Sequence, residues 1–273
     1  MLILLRGAGD IASGIAYRLK QSGFSVVMTD LDKPTSIRRT ICFSEALVQG
    51  EVELEGIRAR KAKDAEEAKA ILSDGKIAVM ADPEATCRTA LRPDALVDAI
   101  LAKKNLGTTM QDAPIVVGIG PGFTAGLDCH AVVETMRGHT MGRVYYTGCA
   151  IPNTGIPGEI GGYSLERILR APCNGVFRGV HKIGDQVEPG EICAYVNDMP
   201  MKSKIRGTLR GILPDGTIVH KEMKSGDIDP RCKLEHCYSV SDKALAVGGG
   251  ALEAILHFFK KGGITHGTGC KAD

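Results

Sequence analysis

The sequence predicts an α/β protein: a Rossmann-like parallel sheet with a small all-β unit inserted in it or appended to it. Three observations carry that expectation. Short, wholly apolar runs recur just ahead of glycine-bearing turns. An apolar helical period separates the first two of these runs. A repeat of short strand-like segments occupies the second half of the chain. Apolar runs of this length read as parallel strands buried on both faces.

The first element is Leu2-Ile3-Leu4-Leu5, read as a buried strand. Gly7-Ala8-Gly9-Asp10-Ile11-Ala12 follows at once, giving G-x-G-x-x-A. Ile11, Ile15 and Leu19 then repeat at helical spacing, and Gly23 stops that helix. Phe24 to Met28 is a second apolar strand, with Asp30 at its end. This is the layout of a dinucleotide-binding turn. Gly7 and Gly9 let the backbone approach a pyrophosphate, the helix N-terminus faces it, and Asp30 can hold a ribose hydroxyl. Asp10 argues the other way, because it sets a negative charge where a phosphate needs N–H groups. The alternative is a helix cap in an empty turn.

Composition sets the bounds. The 273 residues are 44% hydrophobic and 24% charged, as in an ordinary globular protein with a sizeable core. A formal net charge of +2, without basic and aromatic residues interleaved, gives no reason to expect nucleic acid. No apolar run approaches ~20 residues, and no basic segment precedes the first strand, so the expectation is a soluble cytoplasmic protein without membrane contact. Nine cysteines, scattered and without C-x-x-C, read as reduced thiols. Cys232 and Cys237, with His236 between them, are too weakly patterned for a metal site, and none is expected.

Further elements follow in order. Arg38 and Arg39 could meet phosphates or a pterin phosphate in bidentate fashion, with a solvated turn as the equal alternative. Glu51 to Arg60 reads as a strand or hairpin, and Asp64 to Leu72 as a helix. Ile77 to Ala81 is a buried strand with Asp82 at its carboxyl end, where ligands of open α/β sheets sit. Pro93 opens a helix through Leu101. Ile115 to Ile119 is a strand running into a second glycine turn at Gly120 and Gly122. His130 and Glu134 share a helix face at i, i+4, as an incomplete metal pair or a hydrogen-bonded one. Arg143 to Tyr146 reads as a strand, and Cys149 to Gly162 as a long loop. Gly7, Gly9, Asp10, Asp30, Arg38, Arg39, Asp82, Gly120 and Gly122 thus form the candidate cleft, which suits a phosphate-bearing small molecule.

An internal repeat begins near Arg170. Gly175, Arg178, Gly179, Gly184 and Val187 recur 32 positions later as Gly207, Arg210, Gly211, Gly216 and Val219. Two such copies are expected to intertwine into one small β unit. The segments Ala171 to Val176 and Gly184 to Gly190 resemble the biotinyl/lipoyl-type barrel-sandwich. Met201-Lys202 imitates the modified hairpin, but Lys202 is only five residues before Gly207, out of register. The expectation is therefore no biotin and no lipoate. Ser241-Asp242 caps a helix that Gly248-Gly249-Gly250 interrupts. Leu252, Ile255, Leu256 and Phe259 continue an amphipathic helix up to Gly262-Gly263. His266 and Cys270, in the tail, read as incidental. The domains expected are 1–165, 166–232 and 233–273, the last packing back on the first.

Several blocks together resemble one family: Arg6 to Gly14, Ile37 to Thr40, Gly120 to Gly126 with Asp128 to Thr135, Asn153 to Gly158, Gly226 to Arg231, and Ser241 to Ala246. They look like the YqeB-type accessory proteins of selenium-dependent molybdenum hydroxylases. More distantly, the N-terminal part is similar to xanthine dehydrogenase accessory proteins of the XdhC type. The resemblance implies a maturation factor that docks on a molybdenum hydroxylase apo-enzyme and handles a molybdopterin-type cofactor or inserts selenium. It assigns no catalytic residue. Cys149 is the candidate sulfur or selenium carrier, against the alternative of a buried small apolar side chain. The competing function is an NAD(P)-dependent oxidoreductase with His130 as its acid or base. Association with further copies of the chain stays open.

Overall fold

The computed structural model describes residues 1–261; the Gly262-Gly263 helix stop and the tail residues His266 and Cys270 lie outside them. The chain runs β1 (Leu2–Arg6), α1 (Asp10–Gln21), β2 (Ser25–Asp30), α2 (Ala46–Gln49), β3 (Glu51–Leu54) and β4 (Ile57–Ala62). Next come α3 (Ala65–Ser73), β5 (Ile77–Ala81), α4 (Arg88–Leu91), β6 (Ala95–Asp98), β7 (Ile115–Ile119), β8 (Thr124–Ala125), β9 (Ala131–Val133), β10 (Val144–Tyr145) and β11 (Gly148–Cys149). One nine-stranded sheet takes the order β10-β9-β7-β6-β1-β2-β5-β4-β3, with β8 and β11 paired apart from it. Its inner strands are parallel and buried on both faces, which the uninterrupted Leu, Ile and Val runs require.

The second unit comprises β12 (Ile168–Arg170), β13 (Gly175–Gly179), β14 (Gln186–Val187), β15 (Ile192–Val196), β16 (Met199–Lys202), β17 (Gly207–Ile212), β18 (Ile218–Val219) and β19 (Lys224–Asp229). They form two four-stranded antiparallel sheets, β12-β19-β17-β14 and β16-β15-β13-β18. The repeat halves exchange partners: β13 pairs with β18 of the other copy, and β17 with β14. Leu169, Phe177, Val187, Leu209, Val219 and Ile228 fill the core of this unit. The last element, α5 (Asp242–Lys261), returns to the first unit and packs against α1.

The fold class expected from the sequence is corrected here. The large sheet is mixed rather than Rossmann-like and parallel: β3 and β10 run antiparallel at its two edges. The β6-to-β7 connection holds only a 3-10 turn over Met110–Asp112, where a doubly wound sheet would place a helix. The second unit is a pair of antiparallel sheets, not the biotinyl/lipoyl-like barrel-sandwich. The physical reason is that apolar runs report burial and not strand direction, and the edge strands are too short or too polar to show.

Three local expectations change as well. The helix from Pro93 to Leu101 is strand β6, fully buried between β1 and β7, since a short apolar run buried all round fits either state. His130 and Glu134 flank strand β9 and share no helix face. Gly248-Gly249-Gly250 does not interrupt α5, because two of the three glycines meet other backbone. A Cβ on Gly248 would lie 2.8 Å from the Gly14 carbonyl oxygen, and one on Gly250 would clash with Gly142.

Candidate functional site

The first glycine turn is filled by its own chain. Gly7 has φ +102°, and a Cβ there would stand 2.8 Å from the Ala99 carbonyl oxygen. Gly9 precedes α1, with Ser36 Oγ 3.1 Å from where its Cβ would be. Asp30 accepts hydrogen bonds from the Ala8 N–H (2.8 Å) and the Leu31 N–H (2.8 Å). Burial raises the Asp30 pKa, with those two N–H groups opposing the rise. Asp10 receives Arg38 Nη1 at 2.9 Å, and Arg38 Nη2 donates to the His236 carbonyl at 2.9 Å. Arg38 is 6% exposed, so this guanidinium is a strut between α1 and the segment that leads into α5, and not an open phosphate clamp.

The other expected residues scatter. Arg39 Nε donates to the Ile212 carbonyl at 3.0 Å and lines a groove of about 320 Å³ with Glu45, Glu51 and Glu53, a setting that repels phosphate. Asp82 caps the turn before α4, accepting from Thr86 Oγ1 (3.0 Å) and the Cys87 N–H (2.8 Å). The second glycine turn is likewise packed: a Cβ on Gly120 would meet Thr135 and one on Gly122 the Lys104 backbone, each at 2.7 Å. Glu134 is fully buried and accepts from the Thr135, Met136 and Ile151 N–H groups. His130 Nδ1 accepts from the Val116 N–H at 3.0 Å while its ring meets Phe258 edge-on. Cys149 is exposed in β11, which removes the buried-apolar alternative.

What the structure does assemble is a buried network of arginines on the carboxylates of β19. Asp227 and Asp229 on β19 are about 1% exposed and carry a ladder of arginines. Arg167 and Arg210 bond Asp227; Arg210 also reaches Asp229 at 3.3 Å, and Arg231 Nε donates to Asp229 at 2.9 Å. Burial alone would raise the Asp229 pKa, but the Arg231 and Arg210 bonds override it and hold the carboxylate ionised. Arg137 forms a bidentate pair with Asp242 at the start of α5.

These pairings use up the arginines and leave three lysines. Lys224 keeps 45% of its side chain exposed and lies 3.9 Å from Asp227, yet desolvation lowers its pKa, with Arg167 and Arg210 adding to the fall. Lys103 is lowered by desolvation as well. Half-buried Lys243, in the first turn of α5, is pushed down to about 8 by desolvation, then by Lys103, Arg137 and Lys224; Asp10 acts against this. Lys103 and Lys243 have no ion-pair partner among the described residues. Lys103 also sits at φ +64°, two residues after Leu101 at +61°, a strained stretch of backbone at the carboxyl edge of the sheet.

Sequence reasoning missed all three lysines. Nothing in the local sequence of Lys103, Lys224 or Lys243 marks a lowered pKa. The alternation Asp227-Ile228-Asp229 inside an otherwise apolar β unit was the one available signal of a buried charge network.

The fold is that of an α/β protein in which a mixed nine-stranded sheet is joined to a unit of two antiparallel sheets. No family model matches the chain. It is 48% identical over 261 residues to the uncharacterized protein YqeB of Escherichia coli (strain K12), a match covering 96% of the chain. At that identity the two are homologous, in line with the sequence blocks; the chain spans 48% of that relative's length. Among solved structures, it is similar at a TM-score of 0.23 and 15% identity to a succinylglutamatedesuccinylase/aspartoacylase from Rhodobacter sphaeroides. That likeness covers 54% of this chain and 64% of the other. The ectoine utilization protein EutE (DoeB) from Ruegeria pomeroyi is similar at 0.23 and 10%, over 83% of this chain and 57% of that one. At such scores neither likeness bears on fold or activity. Among the described residues no helix is long and apolar enough to cross a membrane.

Proposed function

We propose that this chain is an accessory, maturation factor for a selenium-dependent molybdenum hydroxylase. In this reading it holds a phosphorylated pterin or a nucleotide while docked on the apo-enzyme. The family resemblance supplies the role, and one observation supports the ligand class: Lys243, with its pKa pushed down to about 8 by burial and by Lys103, Arg137 and Lys224, lacks an ion-pair partner among the described residues. An anion beside Lys243 would offset the repulsion it feels from these cations. Exposed Cys149 is the candidate carrier of sulfur or selenium.

The NAD(P)-dependent oxidoreductase reading fits less well. Its acid–base residue, His130, spends Nδ1 on the Val116 N–H and packs its ring on Phe258. Equilibrium dialysis of the purified protein against NAD(H) and against a molybdopterin species separates the two. Uptake of the pterin alone supports maturation; uptake of NAD(H) alone supports the oxidoreductase.

A further inference from the structure

We infer that the groove between segment 39–49 and the edge strand β3 binds a free amino acid, with its ammonium on Glu45 and its carboxylate on Arg39. The inference goes beyond the maturation role and does not rest on it. The groove measures about 320 Å³, the size of a small-molecule site, and residues of two 3-10 turns, of α2 and of β3 line it.

Two charged side chains in its wall lack a counter-charge among the described residues. Glu45 is 7% exposed. Its one hydrogen bond comes from Gln49 Nε2 to Oε2 at 3.2 Å, which leaves Oε1 to the groove, and no cation pairs with it. A carboxylate buried that deeply is costly unless a cation reaches it. Arg39 is the complement. Its Nε donates to the Ile212 carbonyl of β17 at 3.0 Å, which fixes the guanidinium and leaves Nη1 and Nη2 unbonded. Those two nitrogens form the fork that takes a carboxylate in bidentate fashion. Arg39 and Glu45 line the same groove without bonding each other.

The other charges in the wall are matched. Glu51 accepts two hydrogen bonds from Lys76, at 3.0 and 2.8 Å, and Glu53 pairs with Arg58 at 3.4 Å. One carboxylate and one guanidinium remain, and a zwitterion answers both. A simple amine leaves Arg39 bare, and a simple acid leaves Glu45 bare. The apolar part of the wall is buried Cys42, buried Leu54 and half-buried Val52, so the side chain of the bound amino acid is apolar as well.

The test is calorimetric titration of the full chain with L-norleucine near pH 7, where both ends of the ligand are charged. Saturation-transfer NMR follows the same titration. Pentylamine and hexanoate are the same carbon chain without the carboxylate or without the ammonium. The expected result is saturable binding of norleucine, with both truncated compounds at least tenfold weaker. Glu45→Gln, which keeps the size of the side chain, and Arg39→Gln each weaken norleucine at least tenfold. Glu51→Gln changes its affinity less than threefold, because Lys76 already holds that carboxylate. Where Arg39→Gln fails to fold for want of the Ile212 contact, the two truncated compounds decide on the wild type. Absence of saturable binding by the wild type overturns the inference. So does equal affinity for pentylamine, which would make the groove a plain cation site, equal affinity for hexanoate, or unchanged norleucine affinity in Glu45→Gln.

Discussion

Asp10 and Arg38 are bonded to each other at 2.9 Å, two residues the sequence offered to a ligand. Asp10 opens α1, where a carboxylate also complements the helix dipole, and Arg38 carries the link onward to the His236 carbonyl beyond β19. The bond lies within the first unit and fixes Arg38 so that its other Nη nitrogen reaches the segment between β19 and α5. Asp10→Ala leaves a buried guanidinium without its counter-charge and should cost about 1–3 kcal/mol, the scale of a lost hydrogen bond to a charged group. Urea unfolding measures it; an unchanged midpoint would show that the strut is dispensable.

The glycines of α5 should respond oppositely to the same substitution. Gly248→Ala drives a methyl group to 2.8 Å from the Gly14 carbonyl and should lower stability by about 1–3 kcal/mol. Gly249→Ala meets nothing within 4 Å and should raise it by about 0.5–1 kcal/mol, the helix-propensity difference. Thermal unfolding of both variants decides. A stabilised Gly248→Ala would rule out close packing of α5 on α1.

Acid should attack the β19 network. The folded-state pKa of Asp229 is lowered, and that of Asp242 is held down to about 2 by Arg137. A depressed carboxylate pKa means that the unfolded chain binds more protons in the window below its ordinary value of 3.8. The stabilisation is thus complete above about pH 5 and is lost as pH falls toward 2. Urea midpoints from pH 6 to pH 2 should hold level and then drop, and Asp229→Asn should start lower and drop less. A wild-type midpoint as high at pH 2 as at pH 6 would contradict this.

Native thiol labelling should separate the cysteines by exposure. Cys149 and Cys232 are exposed, whereas Cys42, Cys87, Cys129 and Cys193 are buried with thiol pKa values raised by desolvation, Cys87 to about 12. Mass mapping after brief alkylation at pH 7.5 should find Cys149 and Cys232 modified and those four untouched. Protection of Cys149 would remove it as a carrier.

Much of the framework was legible. Strands β1, β2, β5 and β7 are uninterrupted apolar runs, and α3 announces itself through Asp64, whose side chain accepts the Glu67 N–H at 2.9 Å. Direction was not legible, because edge strands such as β10 are two residues long and carry no run. Nor was β6, since Ala95-Leu96-Val97 behind Pro93 suits helix or strand equally. For the site, sequence proximity to glycine turns misled: Gly7, Gly120 and Gly122 are glycines because neighbouring protein atoms approach them. The arginine network on Asp227 and Asp229 draws Arg167, Arg210 and Arg231 from separate segments, and no local pattern marks such a meeting.

The most direct test of the maturation role is the composition of the molybdenum hydroxylase purified from a strain lacking this gene. The account expects the hydroxylase protein at normal abundance, with its labile selenium or its complete pterin cofactor missing and its activity lost. Full activity with normal selenium and molybdenum content in that strain would contradict it.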